Sequence, residues 1–182
     1  QTDDHPVIMV TYNDAVAFAG WVSRKTGKNV RLPSEAEWEF AARSGTTTPW
    51  YSGDDEEESL SIGWFNVNGR GGTRPVGQKT PNGFGLYDMS GNVYEWCRDI
   101  YAPYASNALI DPLVTVTKDA DVGRRVLRGG SWLRGPKRAR SSARFSNTGT
   151  SRSADQGFRI VTTNDEAAAA GATKEPAKEA AA

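Results

Sequence analysis

The chain has 182 residues, the size of one ordinary domain with or without a tail. Its 22 Lys and Arg residues balance its 22 Asp and Glu residues, and zero net charge argues against a dedicated nucleic-acid-binding protein. No apolar run approaches the roughly 18 residues that a membrane span requires, so no membrane span is expected. The polar first five residues do not read as a secretory signal, although a signal already removed would leave the same sequence.

The chain contains one cysteine, Cys97, and one histidine, His5. A single cysteine excludes an intrachain disulfide and a zinc site built from several cysteines. A single histidine near the chain terminus argues against a His-rich metal site and against a Ser-His-Asp triad.

A first helix is predicted early in the chain. Apolar residues between 15 and 22 recur at i, i+3, i+4 and i+7, which places them on one helix face. Thr11 or Asn13 can cap this helix, and Gly27 can end it.

A short strand is predicted at 29–32, and a second helix follows it. Ser34 and Glu37 have the spacing of a capping box, in which each side chain bonds a free backbone N–H of the other residue. This helix should stop near Gly45.

The pattern changes after residue 46 to long loops with short apolar runs at 125–127 and 158–161, which predict strands. Helices followed by a loop-rich β region indicate an α+β fold. We divide the chain into a domain over residues 1–161 and an Ala/Glu/Lys-rich tail or linker over 162–182, because the tail has no large apolar residue with which to build a core.

Two charged stretches lie in the loop-rich region. The acidic run at 54–58 is either a solvated loop or a site for a cation or basic partner. Eight basic residues between 124 and 144 could form one patch, but alternation along strands would place some of them on opposite faces.

Three segments carry a family resemblance: RLPSEAEWEFAAR at 31–43, NGFGLYDMSGNVYEW at 82–96, and RGGSW at 128–132 with GFR at 157–159. In order and spacing they resemble the formylglycine-generating enzyme family, also called the sulfatase-modifying factor family. The resemblance implies a C-type-lectin-like fold with two helices, a small twisted antiparallel sheet and long loops. Family members usually begin with a further Gly-rich segment, which is missing here.

The family enzymes use two cysteines after the Gly-Gly-Ser-aromatic segment to bind copper and oxidise a substrate cysteine. The corresponding stretch, residues 133–144, contains no cysteine and has Arg134 where a thiolate is expected. Because a guanidinium repels a metal cation, no copper site is expected and the family's oxidase chemistry should be absent. Cys97 lies far from this stretch and is interpreted as buried packing.

The resemblance implies a structural calcium site. Its ligands would be the side chains of Asp88 and Glu95 and the carbonyl oxygens of Gly91 and Val93, a donor set that suits a hard cation. Alternatively, the two acids bond backbone N–H groups without a metal. At a second family calcium site only two positions match, and these are Asn66 and Val67.

The preferred hypothesis is a non-catalytic, calcium-stabilised module that binds a protein partner or assembly. The alternative is an oxidoreductase that converts a substrate cysteine to formylglycine. Six residues are the candidate partner-binding positions: Trp132, Arg134, Lys137, Arg138, Arg140 and Arg144. Trp132 is either an anchor for the partner or part of the core. Relatives with this domain are often exported, which slightly favours the periplasm or cell envelope.

Overall fold

A computed structural model describes residues 1–115 and 123–163. The predicted tail therefore lies outside the described residues, apart from Thr162 and Thr163, which belong to the last strand. The predicted α+β class is confirmed, because two helices pack against small sheets joined by long loops.

Helix α1 spans Tyr12–Thr26 and has the predicted ends. The Thr11 hydroxyl accepts a hydrogen bond from the Asp14 backbone N–H, and the Asp14 carboxylate accepts one from the Thr11 N–H. Gly27 ends the helix in the left-handed conformation, with φ of 69°. The predicted apolar face is only partly covered, because Phe18 remains 44% exposed.

Strand β1, Asn29–Arg31, leads into helix α2, Glu35–Arg43. The predicted capping box between Ser34 and Glu37 is present, since each residue bonds the backbone N–H of the other. The helix ends near Gly45 as expected, with Arg43 its last residue and Ser44 in the left-handed conformation as its cap.

The remaining strands are short, and they are β2 Gly63–Trp64, β3 Ser90–Gly91, β4 Tyr94–Ile100, β5 Arg124–Arg128, β6 Phe145–Thr148, β7 Gln156–Gly157 and β8 Val161–Thr163. The main sheet has the order β6-β5-β4-β7. Its first three strands are antiparallel as predicted, whereas β7 lies parallel to β4. The predicted strand at 158–161 begins only at Val161, and β8 pairs antiparallel with β1 in a separate sheet.

Both faces of the central strand β4 are buried. Trp96 packs in a cluster that includes Ala15 of α1, and its neighbour Cys97 packs in a second cluster with Trp38 of α2. Successive side chains of a strand point to opposite faces, so each helix covers one side of the sheet. The polar groups considered below consequently lie at the ends of β4 and on the loops around it.

Candidate functional site

The turn that leads into β4 has a tightly fixed backbone. Asp88, Gly91 and Asn92 have positive φ angles of 56°, 78° and 62°. A Cβ atom on Gly91 would lie 2.4 Å from the carbonyl oxygen of Trp64, so only glycine fits there. The Asn92 side-chain amide both donates to and accepts from the backbone of Arg74, at 3.1 Å in each case.

This turn brings most of the predicted calcium ligands to one cavity. Asp88, Val93 and Glu95 all line a cavity of about 430 Å³, whereas Gly91 does not line it. Proximity of two acids is the first requirement for a cation site, and the sequence spacing around the Gly-Asn turn provides it.

The Asp88 carboxylate is half satisfied. Its Oδ2 atom accepts a hydrogen bond of 2.8 Å from the Gly77 backbone N–H, as the metal-free alternative expects. Its Oδ1 atom is buried and has no hydrogen-bond partner in the described part of the chain. Burial raises the pKa of the Asp88 carboxyl, against the opposing effect of the Gly77 hydrogen bond.

The Glu95 carboxylate is fully engaged by side chains. Arg159 donates from Nε to Oε2 at 2.5 Å and from Nη2 to Oε1 at 2.7 Å. The Trp38 indole N–H donates to Oε2 at 2.6 Å. The positive partner of Glu95 is therefore the Arg159 guanidinium. The sequence predicts either a calcium ion or backbone N–H groups in this place.

The fit of this site to a calcium ion thus differs between its two acids. Asp88 offers a buried oxygen that has no partner among the described residues, which is the kind of donor that a hard cation takes. Glu95 would have to share its oxygens between a metal and the Arg159 guanidinium. Within the described ranges, no cluster of three or more His, Cys, Asp or Glu residues is placed to hold a metal; the predicted donor set contains only two such residues.

The second predicted calcium position lies elsewhere. The Asn66 backbone N–H donates to the carbonyl oxygen of Arg134 at 3.1 Å, and Val67 is 67% exposed. Neither residue lines the cavity beside Asp88. Asn66 instead tethers the loop that carries the predicted partner-binding residues.

Four of the six predicted partner-binding residues lie in one exposed segment: Arg134, Lys137, Arg138 and Arg140. We call this segment the basic turn. A short 3-10 helix at Pro136–Ala139 forms its centre. Gly130, with φ of 73°, packs its Cα so closely on Ala139 that an added Cβ would lie 2.7 Å from the Ala139 Cβ. This contact fixes the basic turn against the end of β5.

The basic turn faces part of the predicted acidic run. The Lys137 ammonium lies 3.5 Å from the Glu56 carboxylate. Arg134 and Arg138 make no side-chain hydrogen bond or ion pair within the described residues. Burial raises the pKa of Tyr94, and those two charges oppose the increase.

The structure places Arg144 away from the basic turn. Its guanidinium bonds both carboxylate oxygens of Glu35 at 2.7 Å and the Ala102 carbonyl at 2.9 Å. It also stacks on the rings of Tyr104 and Tyr101, at 4.0 and 4.7 Å. Arg144 therefore lies outside the basic turn and is engaged by Glu35, and the eight basic residues do not form one patch.

Trp132 connects the basic turn to the turn before β4. Its backbone N–H donates to the Asn92 carbonyl at 2.9 Å, and its indole N–H donates to the Ala154 carbonyl at 3.1 Å. The side chain is half-buried, so Trp132 belongs partly to the scaffold and partly to the surface.

Cys97 has the properties expected of a packing residue. It is fully buried, and burial raises the pKa of its thiol well above the usual value. The thiol form of such a side chain is neither a nucleophile nor a metal ligand.

The sequence interpretation missed Trp38 and Arg159 as partners of Glu95. Arg159 interrupts the apolar run at 158–161, and a lone arginine in such a run is a signal that it has a buried partner. The sequence interpretation also missed a cavity of about 880 Å³ beside α2, which is larger than the one beside Asp88. No helix among the described residues is long and apolar enough to cross a membrane.

Comparison with protein families gives a match over residues 1–164 to the sulfatase-modifying factor enzyme 1-like domain. The formylglycine-generating enzyme of Streptomyces coelicolor is 41% identical over 179 residues, which cover 89% of this chain and 54% of that protein. The chain thus spans about half the length of this curated relative.

A second relative carries the same kind of domain in a much larger protein. The serine/threonine-protein kinase Pkn1 of Chlamydia trachomatis is 38% identical over 164 residues, covering 86% of this chain and 24% of the kinase. Among solved structures, Treponema denticola variable protein 1 superposes with a TM-score of 0.81 at 29% identity, covering 88% of this chain and 72% of that one. These similarities agree with the predicted fold.

Proposed function

Because the chain belongs to the sulfatase-modifying factor family, we propose that it is a non-catalytic, calcium-stabilised module that binds a protein partner through the basic turn. The observation that carries this proposal is the exposed pair Arg134 and Arg138, which has no ion pair among the described residues and sits on a rigidly held loop. Loops displayed by a rigid scaffold are where binding residues concentrate.

The partner surface has a definite electrostatic character. Four cations lie within seven residues, and Glu56 meets only one of them, Lys137. Arg140 donates from Nε to the Lys137 carbonyl at 3.1 Å. A partner with acidic side chains would therefore gain charge-assisted hydrogen bonds mainly from the guanidinium groups of Arg134 and Arg138. We therefore expect an acidic protein surface as the ligand of the basic turn.

Calcium would act on the scaffold and not on the partner. An ion at Asp88, Gly91, Val93 and Glu95 would satisfy the buried Oδ1 atom of Asp88. The same turn bonds Trp132 through Asn92. Ion binding would thus stabilise the backbone from which the basic turn projects.

The calcium step is tested by thermal unfolding with calcium and with chelator. We expect calcium to raise the midpoint for the wild type and not for Asp88→Asn. Asp54→Asn, in the exposed acidic run, is the matched control and should respond like the wild type. An equal response of Asp88→Asn and wild type would contradict calcium binding at this turn.

The partner step is tested by affinity capture from native extract, read by mass spectrometry. A protein recovered in stoichiometric amount with calcium, and lost with chelator or with the double variant Arg134→Ser/Arg138→Ser, is the expected result. The control is Arg24→Ser/Lys25→Ser, which removes two exposed cations from α1. Recovery that survives the Arg134/Arg138 change would exclude the basic turn as the binding surface.

Formylglycine formation is the second candidate, because the Streptomyces relative of 41% identity is a formylglycine-generating enzyme by name. Against it, residues 133–144 contain no cysteine, and Cys97 is fully buried. Oxidation of a cysteine-containing peptide that is lost on Cys97→Ser would establish the enzyme and overturn the non-catalytic proposal.

A further inference from the structure

A long groove runs along the exposed side of α2. Two cavities, of about 880 and about 610 Å³, share Ala36, Phe40 and Leu113 in their walls and so adjoin. Each has the volume of a typical ligand site. No residue of the basic turn and no predicted calcium ligand lines either cavity. We call this feature the α2 groove.

The two glutamates that line the larger cavity already have cationic partners. Arg144 neutralises Glu35 with two hydrogen bonds, and the Tyr104 hydroxyl adds a third at 3.3 Å. Glu39 accepts from Arg43 at 2.8 Å and from the fully buried Arg128. Because both carboxylates are already neutralised, Glu35 and Glu39 would attract a charged ligand only weakly.

The walls of the larger cavity are largely apolar, and they include Phe40, Pro103, Leu109, Pro112, Leu113 and Val114. Phe40 is 70% exposed and Leu109 is 53% exposed. Covering such exposed apolar side chains with an apolar group of a ligand would contribute about 25 cal/mol of binding free energy per Å² of apolar surface removed from water. The larger cavity therefore suits an aromatic or aliphatic side chain.

The smaller cavity contains two charged side chains that have no partner in the described part of the chain. Arg31 is paired with Glu37 there, at 2.6 Å. In contrast, the side chains of Arg98 and Asp111 form no hydrogen bond or ion pair within residues 1–115 and 123–163. One free cation and one free anion complement a ligand that carries a charge of each sign.

Residues between 103 and 113 line the side of the groove opposite α2. Ile100 and Val114 are joined by a backbone hydrogen bond of 2.8 Å, but no backbone hydrogen bond between described residues reaches positions 103–113. Apart from the N–H groups that Pro103 and Pro112 lack, the N–H and C=O groups of this stretch make no backbone hydrogen bond among the described residues. They are available to the main chain of a ligand, and main-chain hydrogen bonds of this kind give affinity for extended peptides.

We propose that the α2 groove binds an extended peptide segment of a partner protein, with a large apolar side chain in the larger cavity and an acidic and a basic residue facing Arg98 and Asp111. This site is distinct from the basic turn, and the proposal stands whether or not the basic turn binds a partner.

The test is selection of a phage-displayed random dodecapeptide library on the full chain, with counter-selection on Leu109→Asp. Enriched peptides should combine an apolar anchor with one acidic and one basic residue. Their affinity, measured by fluorescence anisotropy of labelled synthetic peptides, should fall at least about tenfold on Leu109→Asp or Phe40→Ser. Both positions are exposed, so the variants should fold; circular dichroism checks this.

Two controls make the result specific. Trp21→Ser removes a 49% exposed aromatic residue from α1 and should leave peptide affinity unchanged. Arg98→Glu should lower the affinity for a selected peptide. Replacing the acidic residue of that peptide with Lys should restore its affinity for the variant. A selection that returns no sequence above the counter-selection, or peptides indifferent to Leu109→Asp, would overturn the proposal.

Discussion

Arg159 holds Glu95 through two parallel hydrogen bonds, of 2.5 and 2.7 Å, at the start of the central strand. The pair joins β4 to the segment that precedes β8, across 64 residues of sequence. Glu95 also accepts the Trp38 indole N–H, so one carboxylate connects the sheet, α2 and the last part of the domain.

Loss of one partner from this pair should be costly. Arg159→Ala leaves the buried Glu95 carboxylate without its cation, and breaking a buried pair costs about 3–5 kcal/mol. We expect Arg159→Ala to decrease the free energy of unfolding by about 3 kcal/mol, measured by urea denaturation.

The matched control is an exposed pair. Arg152 contacts Asp14 at 2.8 Å, with both side chains roughly half exposed. Arg152→Ala should decrease the free energy of unfolding much less than Arg159→Ala does, because solvent screens such exposed pairs. Equal losses in the two variants would mean that Glu95 is not held in a buried pair.

Glu37 should make stability depend on acid pH. Its hydrogen bonds to Arg31 and Ser34 lower the pKa from 4.5 to about 2. Because the folded-state pKa is depressed, this stabilisation is complete above pH 4.5 and is lost as the pH falls through 2. The side chain is 43% exposed, so screening limits the effect to about 1 kcal/mol.

Urea unfolding of wild type and Glu37→Gln, in steps from pH 7 to pH 2, measures this term. The two proteins should differ at pH 7 and converge near pH 2 as Glu37 becomes protonated. Glu57→Gln, in the exposed acidic run, should differ little from wild type at any step. A wild-type advantage over Glu37→Gln that grows on acidification would have the wrong sign.

Gly130 should tolerate no side chain. Gly130→Ala adds left-handed strain of about 1–2 kcal/mol and a contact of 2.7 Å with Ala139, which adds about 1–3 kcal/mol of overpacking. Gly71→Ala is the control, because Gly71 has φ of 77° but nothing within 4 Å. Thermal or urea unfolding should rank Gly130→Ala clearly below Gly71→Ala; the reverse order would mean that the packing on Ala139 is absent.

Cys97 should be unreactive in the folded protein. It is completely buried and its pKa is raised well above the usual value. Labelling by iodoacetamide at pH 8 should be undetectable in native buffer and complete in concentrated guanidinium chloride. Rapid native labelling would place the thiol at the surface and reopen the enzymatic alternative.

The local elements were predictable because their signals are local. Thr11, Ser34 and Gly27 define helix ends through bonds to residues within a turn, and sequence spacing suffices to recognise them. The convergence of Asp88 and Glu95 on one cavity was predictable for the same reason, since one turn separates them.

The long-range partners were not predictable in this way. Glu95 meets Trp38 and Arg159 from positions 57 and 64 residues away, and no spacing rule connects them. Arg144 belonged by sequence to the basic segment, yet its side chain turns to Glu35, 109 residues away. The fold determines such pairs, and a single sequence carries their charges without their geometry.

The pairing of β1 with β8 sets the order in which this domain can be completed during synthesis. Arg31 pairs with Val161, so a strand made early must wait for about 130 further residues before it gains its neighbour. On the ribosome, both helices can form while this edge of β1 stays open, and the contact that closes the domain comes last. A nascent chain stalled with residues 161–163 still inside the ribosome should therefore remain a substrate for chaperones, whereas one in which these residues have emerged should not.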